Sequence, residues 1–464
     1  MKKVLTWVKS NILVVIFSAI IIVTLPVAYI GSSMWGSGMK KNRAETVSKR
    51  LTEVQNTKFK YSLAPVMPGG TGVDESSPAN LELNKFFAEQ RGKTDAAAQT
   101  VVKSAQDFNQ GQGPEAAKVG RTPHTPLVEG LFPKPAAGAS VTELTNRFAS
   151  RLVDKKDNVY LAMLRDILNA GDPVDPVTLG KQLDMVKAGQ AQQVRDAGAL
   201  DKDTLARLEQ ELLETRKRAH LSQASRISIY AGLDALPIEG NTGQNEGSMI
   251  PKAIPERPAS VSRAFQWQMD YWLIRDIFTA IRVANTGSGG TPAPVSSAVV
   301  KRLEKLTIQE PFAGKVGSAP DPTNPDPAAS APVVATPLDQ LAGLVPTDPT
   351  ISLTGRKSTP QNPLYDVRLV KLQMVVSSAR MKEIFNAFAR TNFMTIIDID
   401  LQEVDVRGDL DKGFYYGPEG VLRATVTVET IWLRGWTQEL FPSGVKKRLG
   451  IPLAEGEKSD DAEM

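Results

Sequence analysis

One long apolar segment near the amino terminus constrains this chain more than any other feature. No charged residue occurs from Ser10 to Met39, and residues 12–30 are almost entirely Ile, Leu, Val, Phe and Ala. A helix of this length crosses a hydrocarbon core about 30 Å thick. The sequence therefore predicts a tail at residues 1–10, a transmembrane helix at residues 11–31 and contact with the membrane through residues 12–30.

A cleaved signal peptide is the competing interpretation, because Lys2, Lys3 and Lys9 precede the apolar segment. The segment is longer than a usual signal-peptide core of about 7 to 15 residues, and no clean A-x-A cleavage site follows it, so an uncleaved anchor is favoured. Positive charges flank both ends of the span, so the positive-inside rule alone does not set its orientation. The short basic tail favours a cytoplasmic amino terminus, which leaves most of the chain outside the cytoplasm.

The segment after the anchor carries a heptad pattern, which predicts a juxtamembrane helix over residues 39–61. The pattern is short, so it is equally compatible with a helix that packs on its own chain and with a coiled coil that binds a partner. Residues 62–222 are predicted to continue as a helical stalk with Pro/Gly-rich loops and a helical insert at 155–225. The seam of the juxtamembrane helix, where apolar side chains recur at spacings of three and four, consists of Ala44, Val47, Leu51 and Val54.

Residues 223–315 are predicted to form a first small module of strands and one helix. The helix is apolar on so wide a surface that it must be buried on more than one side. This stripe is either part of the core or the lining of a ligand groove, and aromatic residues at helical spacing are typical of a core. The stripe includes Trp267, Tyr271, Ile274 and Phe278.

Residues 361–441 are predicted to form a second module with the element order strand, helix, strand, strand. Period-two alternation marks the strands, and apolar residues at i, i+3, i+4 and i+7 mark the helix. A proline-rich linker at 316–360 precedes this module and a tail at 442–464 follows it. The predicted core consists of Val370, Leu372 and Met374, then Met381, Ile384, Phe385 and Phe388, then Ile397 and Ile399, then Val426 and Val428. The fold class expected for the whole chain is α+β.

Few residues in the chain offer reactive chemistry. Cysteine is absent, which excludes disulfides, zinc thiolate sites and cysteine nucleophiles. His124 and His220 are the only histidines, neither has a partner at metal-ligand spacing, and both are predicted to be solvated. Asp398 and Asp400 fall on the solvated side of a strand without the spacing of a calcium loop. We therefore expect no enzymatic activity, no catalytic residue, no metal and no cofactor, and the net charge of +4 indicates no nucleic-acid partner.

The order of these parts resembles the PilO-like family of type IV pilus inner-membrane alignment proteins. The resemblance rests on the anchor and on three segments, "FQWQMDYWLIRDIFTAI", "LYDVRLVKLQMVVSSARMKEIFNAFARTNFMTIIDIDLQEVDV" and "VLRATVTVETIWLRGW". It is nearest to the large PilO-like proteins of planctomycete and verrucomicrobial lineages, with GspM- and GspL-like secretion components as relatives. The insert at 155–225 and the linker at 316–360 depart from the compact family pattern.

The resemblance implies two distal ferredoxin-like βαββ modules and a single-pass protein of the inner membrane with its bulk in the periplasm. By analogy of fold, it implies a non-enzymatic scaffold of a type IV pilus or type II secretion-like machine. Such a scaffold acts as a homodimer or as a heterodimer with a PilN-like protein, and it couples a cytoplasmic platform to periplasmic components. The alternative hypothesis is a membrane-anchored periplasmic ligand-binding protein that uses the groove beside Trp267. An anchored hydrolase is disfavoured, because the two histidines lack converging catalytic partners.

Overall fold

The chain divides into two compact units, residues 1–102 and residues 103–464. The structure is a computed structural model, and each unit is described by itself. It describes residues 2–63, 73–78, 81–136, 138–156, 158–197, 202–240, 249–287, 290–309, 354, 356 and 364–453.

The first unit is dominated by one long helix. Helix α1 covers Lys2–Ser10, and α2 runs without interruption from Ile12 to Asn56. The first half of α2 is long and apolar enough to cross a membrane, and none of its most apolar window is buried within the protein. The predicted transmembrane helix at 11–31 and the predicted juxtamembrane helix are therefore parts of a single helix.

The juxtamembrane helix ends earlier than the sequence pattern predicts. Strand β1, Lys58–Leu63, follows α2 and pairs in antiparallel fashion with β2, Val73–Pro78. The prediction of helix up to residue 61 is thus wrong over the last five positions, and the predicted stalk at 62–222 begins within a hairpin. The physical reason is the sequence "KFKYSL", whose polar and apolar residues alternate with period two and include aromatic residues favoured in strands.

A six-stranded mixed sheet organises the second unit. Its order is β3-β4-β5-β6-β8-β7, in which the first three strands are parallel to one another and the remaining pairings are antiparallel. Strand β7 lies at one edge. The strands are β3 Ala170–Gly171, β4 Ile229–Tyr230, β5 Val300–Ile308, β6 Tyr365–Ser377, β7 Met394–Glu403 and β8 Val421–Leu433.

The two modules predicted at 223–315 and 361–441 share this one sheet. Strand β5 of the first segment pairs with β6 of the second, from Val300 opposite Val376 to Ile308 opposite Val370. Two separate modules would each leave an apolar strand edge exposed, and pairing β5 with β6 removes both edges. Within the second segment, β6 and β7 flank β8, so the predicted order of strand, helix, strand, strand is present as one half of a larger sheet.

Two helices cover one face of the sheet and pack against each other. Helix α9, Val261–Thr286, connects β4 to β5, and α10, Met381–Thr391, connects β6 to β7. The hydroxyl of Ser260 accepts a hydrogen bond from the backbone N–H of Arg263 and caps α9. The other helices are α3 Leu81–Asn109, α4 Gly113–Lys118, α5 Val141–Val153, α6 Val159–Asp166, α7 Pro176–Ala197, α8 Lys202–Arg226, α11 Val406–Asp411, α12 Arg434–Thr437 and α13 Ser443–Arg448.

The main core extends beyond the predicted modules in both directions along the chain. Phe148 on α5 and Tyr160 on α6 are buried in the same cluster as α9, so part of the predicted stalk belongs to the globular unit. Val445 and Leu449 also join this cluster, so the segment predicted as a tail at 442–464 begins with a packed helix. Ser140 caps α5 by accepting a hydrogen bond from the Glu143 N–H at 3.2 Å, as the capping-box spacing predicts.

Most of the predicted linker at 316–360 and residues 454–464 of the predicted tail lie outside the described residues. Thr354 and Arg356 are the described residues of that linker. The Thr354 hydroxyl lies 2.9 Å from both carboxylate oxygens of the buried Glu429 on β8, and the Arg356 guanidinium donates to the same carboxylate.

Candidate functional site

The predicted interaction seam lies on the exposed surface of α2. Ala44, Val47, Leu51 and Val54 are all solvent-exposed, with more than half of the surface accessible for the last three. Exposed apolar residues repeated on one side of a helix favour contact with another helix. The coiled coil itself stays a prediction, because the structure contains one chain.

The predicted core residues mostly lie in the main core. Trp267, Ile274 and Phe278 on α9 are buried among side chains of the sheet and neighbouring helices, and Tyr271 is partly buried there. The α9 stripe therefore packs as core, which favours that interpretation over a groove beside Trp267. The other predicted core residues that the structure buries are Val370, Leu372, Met374, Ile384, Phe388, Val426 and Val428. Met381 and Ile399 are partly buried and pack against the same core.

Two predicted core residues differ from the expected pattern. Phe385 on α10 is 41% exposed, because the helix turns this position away from the sheet while Ile384 and Phe388 face inward. Ile397 is half-buried and falls within an irregularity of β7, where the register with β8 shifts between Ile396 and Asp398. A bulge of this kind re-aims the side chains that follow it, and sequence alternation does not reveal it.

The most organised polar site surrounds His124, which the sequence predicted to be solvated. His124 is only 2% exposed. Its Nε2 lies 3.1 Å from Oδ2 of Asp276 on α9, and its Nδ1 contacts the guanidinium of Arg275. The rings of Trp272, Trp432 and Trp436 surround it at centroid distances of 5.6, 5.4 and 5.8 Å.

Asp276 holds several parts of the chain together. Arg121 binds it through two nitrogens, with Nε 3.2 Å from Oδ1 and Nη2 2.9 Å from Oδ2. Asn392, at the end of α10, donates to Oδ2 at 2.6 Å. Two-point contact with a guanidinium fixes the orientation of a carboxylate as well as its position. The site thus connects the loop at Arg121 and His124 to α9 and α10.

Asn109, the last residue of α3, attaches that helix to the same site. Its amide nitrogen donates to the Ile431 carbonyl at 2.8 Å and to Oδ1 of Asn392 at 3.0 Å. Its amide oxygen accepts from the Leu433 N–H and the Trp436 indole N–H, both at 2.8 Å. All four hydrogen-bonding positions of the side chain are therefore used. We call the cluster of Asn109, Arg121, His124, Asp276 and Asn392 the latch.

The ionisation states in the latch follow from its burial. Burial lowers the pKa of His124 to about 4, although the neighbouring Asp276 opposes this shift, so the imidazole is neutral at physiological pH. Burial alone raises the pKa of Asp276, but the interactions with His124 and Arg121 and the hydrogen bond from Asn392 outweigh it. The pKa of this carboxyl therefore stays below its usual range. A neutral histidine thus lies beside a paired carboxylate and guanidinium.

The ionisable side chains of the latch are buried. General acid–base catalysis requires contact with a substrate proton. The imidazole of His124 is enclosed by three indole rings, and the carboxylate of Asp276 is almost fully buried. Among the described residues, no group of three His, Asp or Glu side chains has the arrangement of a metal site.

Two further buried ion pairs tie the sheet to its surroundings. Asp270 on α9 pairs with Arg368 on β6, and Asp366 on β6 pairs with Arg434 on α12, where Nε lies 3.0 Å from Oδ2. Burial raises the pKa of Asp366 despite its arginine partner. Buried pairs add little net stability over apolar side chains, but losing one partner leaves an uncompensated charge. These two ion pairs therefore favour the packing of α9 and of α12 against β6.

The positions of the charged residues in α9 indicate buried ion pairs, whereas the overall composition does not. The segment "QMDYWLIRDIF" places Asp270, Arg275 and Asp276 in a helix that is apolar on most of its surface. A helix buried on more than one side must find partners for such charges. The identities of those partners, among them Arg121 and His124, depend on contacts between residues far apart in the sequence.

His220 also departs from the predicted solvated state. It is buried near the end of α8, and it lines a small cavity of about 160 Å³ with Leu179, Leu410 and Gly413. Burial lowers its pKa, and the backbone of Gly413 partly offsets the effect. The nearby pair of Arg216 and Asp411, with Nη2 and Oδ1 2.7 Å apart, connects α8 to the end of α11. Asp398 and Asp400 are exposed on β7, as predicted.

Comparisons with protein-family models, with curated proteins and with solved structures produced no match to this chain.

Proposed function

We propose that the protein is a non-enzymatic inner-membrane scaffold of a type IV pilus or type II secretion-like machine. In this proposal its amino terminus is cytoplasmic and its larger unit is periplasmic. The observation that carries the proposal is the continuous helix α2, Ile12–Asn56, which is apolar in its first half and polar in its second. Such a helix suits an anchor that continues into a rod, with the exposed seam at Val47 and Leu51 available to a partner.

Two features of the larger unit support the same role. The arrangement of β6, α10, β7 and β8 has the strand order expected of half a ferredoxin-like module, and the resemblance to PilO-like proteins rests on these segments. The latch holds the end of α3 against β8 and α10 through side chains that are almost fully buried. A buried polar connection of this kind suits a protein that works through contacts rather than by chemistry.

The proposed partner is a second copy of this chain or a PilN-like protein, associated through the α2 seam. Because the chain has no cysteine, single-cysteine variants give crosslinks without background. We expect Val47→Cys and Leu51→Cys to form disulfide-linked species in native membranes under mild oxidation. Lys49→Cys, on the other side of the helix, is the matched control and should remain uncrosslinked.

The identity of the crosslinked species tests the assignment to a machine. Mass spectrometry should find two copies of this chain in the Val47→Cys disulfide, or a PilN-like protein crosslinked to a benzophenone amino acid at residue 47, because a disulfide needs a thiol on both partners. Equal crosslinking of Lys49→Cys, or products that contain neither a second copy of this chain nor a pilus or secretion component, would contradict the proposal. A membrane-impermeant thiol reagent tests orientation: it should label Asp400→Cys in spheroplasts, and Lys9→Cys only after lysis.

A further inference from the structure

A groove with unbalanced positive charge lies on the larger unit. It encloses about 780 Å³ between the end of α4, the carboxyl end of α9 and one side of α10. The α10 residues that line it recur at helical spacing, so they form a continuous wall. Its charged and polar lining comprises Lys118, Arg282, Arg380, Glu383, Asn386 and Arg390.

Two of the four cations in this groove are already neutralised. Arg380 binds the groove's one carboxylate, with Nη2 3.0 Å from Oε2 of Glu383. Lys118 pairs with Glu115 on the preceding turn. These two cations therefore contribute little net charge to the groove.

The other two cations have no carboxylate partner among the residues that the structure describes. Arg282 is half-buried and donates from Nη2 to the carbonyls of Val119 and Gly120 at 2.7 and 3.1 Å. Burial lowers the pKa of Arg282, which reflects the cost of holding an unneutralised guanidinium there. Arg390 is exposed, one turn of α10 from Asn386. Two guanidinium groups and an amide facing one groove are donors suited to carboxylates.

We infer that this groove binds an acidic peptide and that the peptide is the chain's own segment 454–464, "AEGEKSDDAEM". The segment has five carboxylates against one lysine, a net charge of −4, so it complements the groove. These acids are Glu455, Glu457, Asp460, Asp461 and Glu463. The inference does not depend on the proposed pilus or secretion role.

The length of the segment is sufficient to reach the groove. Helix α13 packs against α9, and Phe441 just before it contacts Phe265 near the start of α9. From Phe265 to Arg282 along the helix is roughly 25 Å at 1.5 Å per residue. Eleven extended residues span up to about 38 Å. The segment is therefore longer than the distance from Phe265 to Arg282 in the same copy, and a second copy supplies the same segment in trans.

A binding experiment on the full chain shortened to end at Leu453 tests this inference. A fluorescent peptide with the sequence of 454–464 should bind it saturably in detergent micelles, and more tightly than it binds the intact chain, whose own segment competes. Arg390→Glu should weaken binding by about tenfold or more, because it places like charge against the peptide. Arg407→Glu, an exposed charge reversal on α11, is the matched control and should change affinity less than about twofold.

Three results would overturn the inference: no binding, equal binding to Arg390→Glu, or equal binding of a peptide in which Gln and Asn replace the acids. The intact chain gives an independent test. A benzophenone amino acid at Asn386 should crosslink to residues 454–464, and mixing isotope-labelled and unlabelled copies identifies the copy that donates the segment. Crosslinks that never include this segment would also refute it. Unchanged thermal unfolding of the Arg390→Glu variant excludes misfolding as the cause of lost binding.

Discussion

A neutral histidine inside a protein makes its stability depend on pH, and His124 is such a residue. Its pKa is about 4 in the folded chain against an ordinary value of 6.5. Between these two values the unfolded chain binds more protons, so stability falls as the pH falls. The contribution of His124 is fully present above pH 6.5 and is lost by about pH 4. The difference between these two pKa values corresponds to about 3 kcal/mol.

We therefore expect the free energy of unfolding of the full chain, followed by tryptophan fluorescence in urea, to decline over this pH range. His124→Gln should lower stability at pH 7, because it disturbs the contacts with Asp276, and should also make the decline shallower. His220→Gln should reduce the slope independently, because burial also lowers the pKa of His220. Identical pH slopes for His124→Gln and the parent chain would contradict the assignment.

At the scale of single elements, α10 shows how far a sequence pattern determines structure. The spacing of apolar residues predicts the helix and its inward side, and Ile384 and Phe388 are indeed buried. The pattern does not predict how wide the buried side is. Phe385 lies beside that side and remains 41% exposed. The width depends on where α9 and the sheet lie, and neither position is encoded within the helix itself.

Replacing Phe385 and Phe388 separately by alanine measures how much each side chain contributes to the free energy of unfolding. Phe388→Ala should destabilise the full chain by about 3 to 5 kcal/mol, because it leaves a cavity beneath α10. Phe385→Ala should cost less than about 1 kcal/mol, because much of its surface stays in water. Urea unfolding monitored by fluorescence separates the two values. Comparable losses for both variants would indicate that Phe385 is packed as the sequence pattern first predicted.

Element boundaries were less predictable than the elements themselves. The sequence predicts the strands of β6, β7 and β8 and the helix α9, all of which are present. The end of α2 at Asn56 and the bulge beside Ile397 depend on strand pairing with distant residues. The latch was missed for the same reason. Asn109 and Asn392 are unremarkable in the sequence, and only the fold brings their side chains to 3.0 Å.

At the scale of the whole molecule, the sequence placed the start of the globular region too far along the chain. The predicted boundary at residue 223 follows the change from helical to mixed patterns. The core also contains Phe148 and Tyr160, and the latch contains Asn109 and Arg121, all of which precede that boundary. Helices that complete a core have the same amphipathic pattern as helices of a stalk. Local periodicity therefore does not distinguish them.

Shortened chains test where the globular region begins. A chain that begins at Lys103 retains the latch and the whole main core, so it should unfold cooperatively with buried tryptophan emission. A chain that begins at residue 223 loses His124, which packs against Trp272, Trp432 and Trp436, together with α5 and α6. It should show red-shifted emission, bind a hydrophobic dye and unfold without cooperativity. A chain that begins at Thr125 keeps α5 and α6 but lacks Asn109, Arg121 and His124, so it measures the effect of losing the latch while these helices remain. Its unfolding transition should fall between those of the chains that begin at Lys103 and at residue 223. Cooperative unfolding with native tryptophan emission in the chain that begins at residue 223 would show that the residues before 223 are a stalk separable from the core. Only a core that is complete without those residues keeps its indole rings buried.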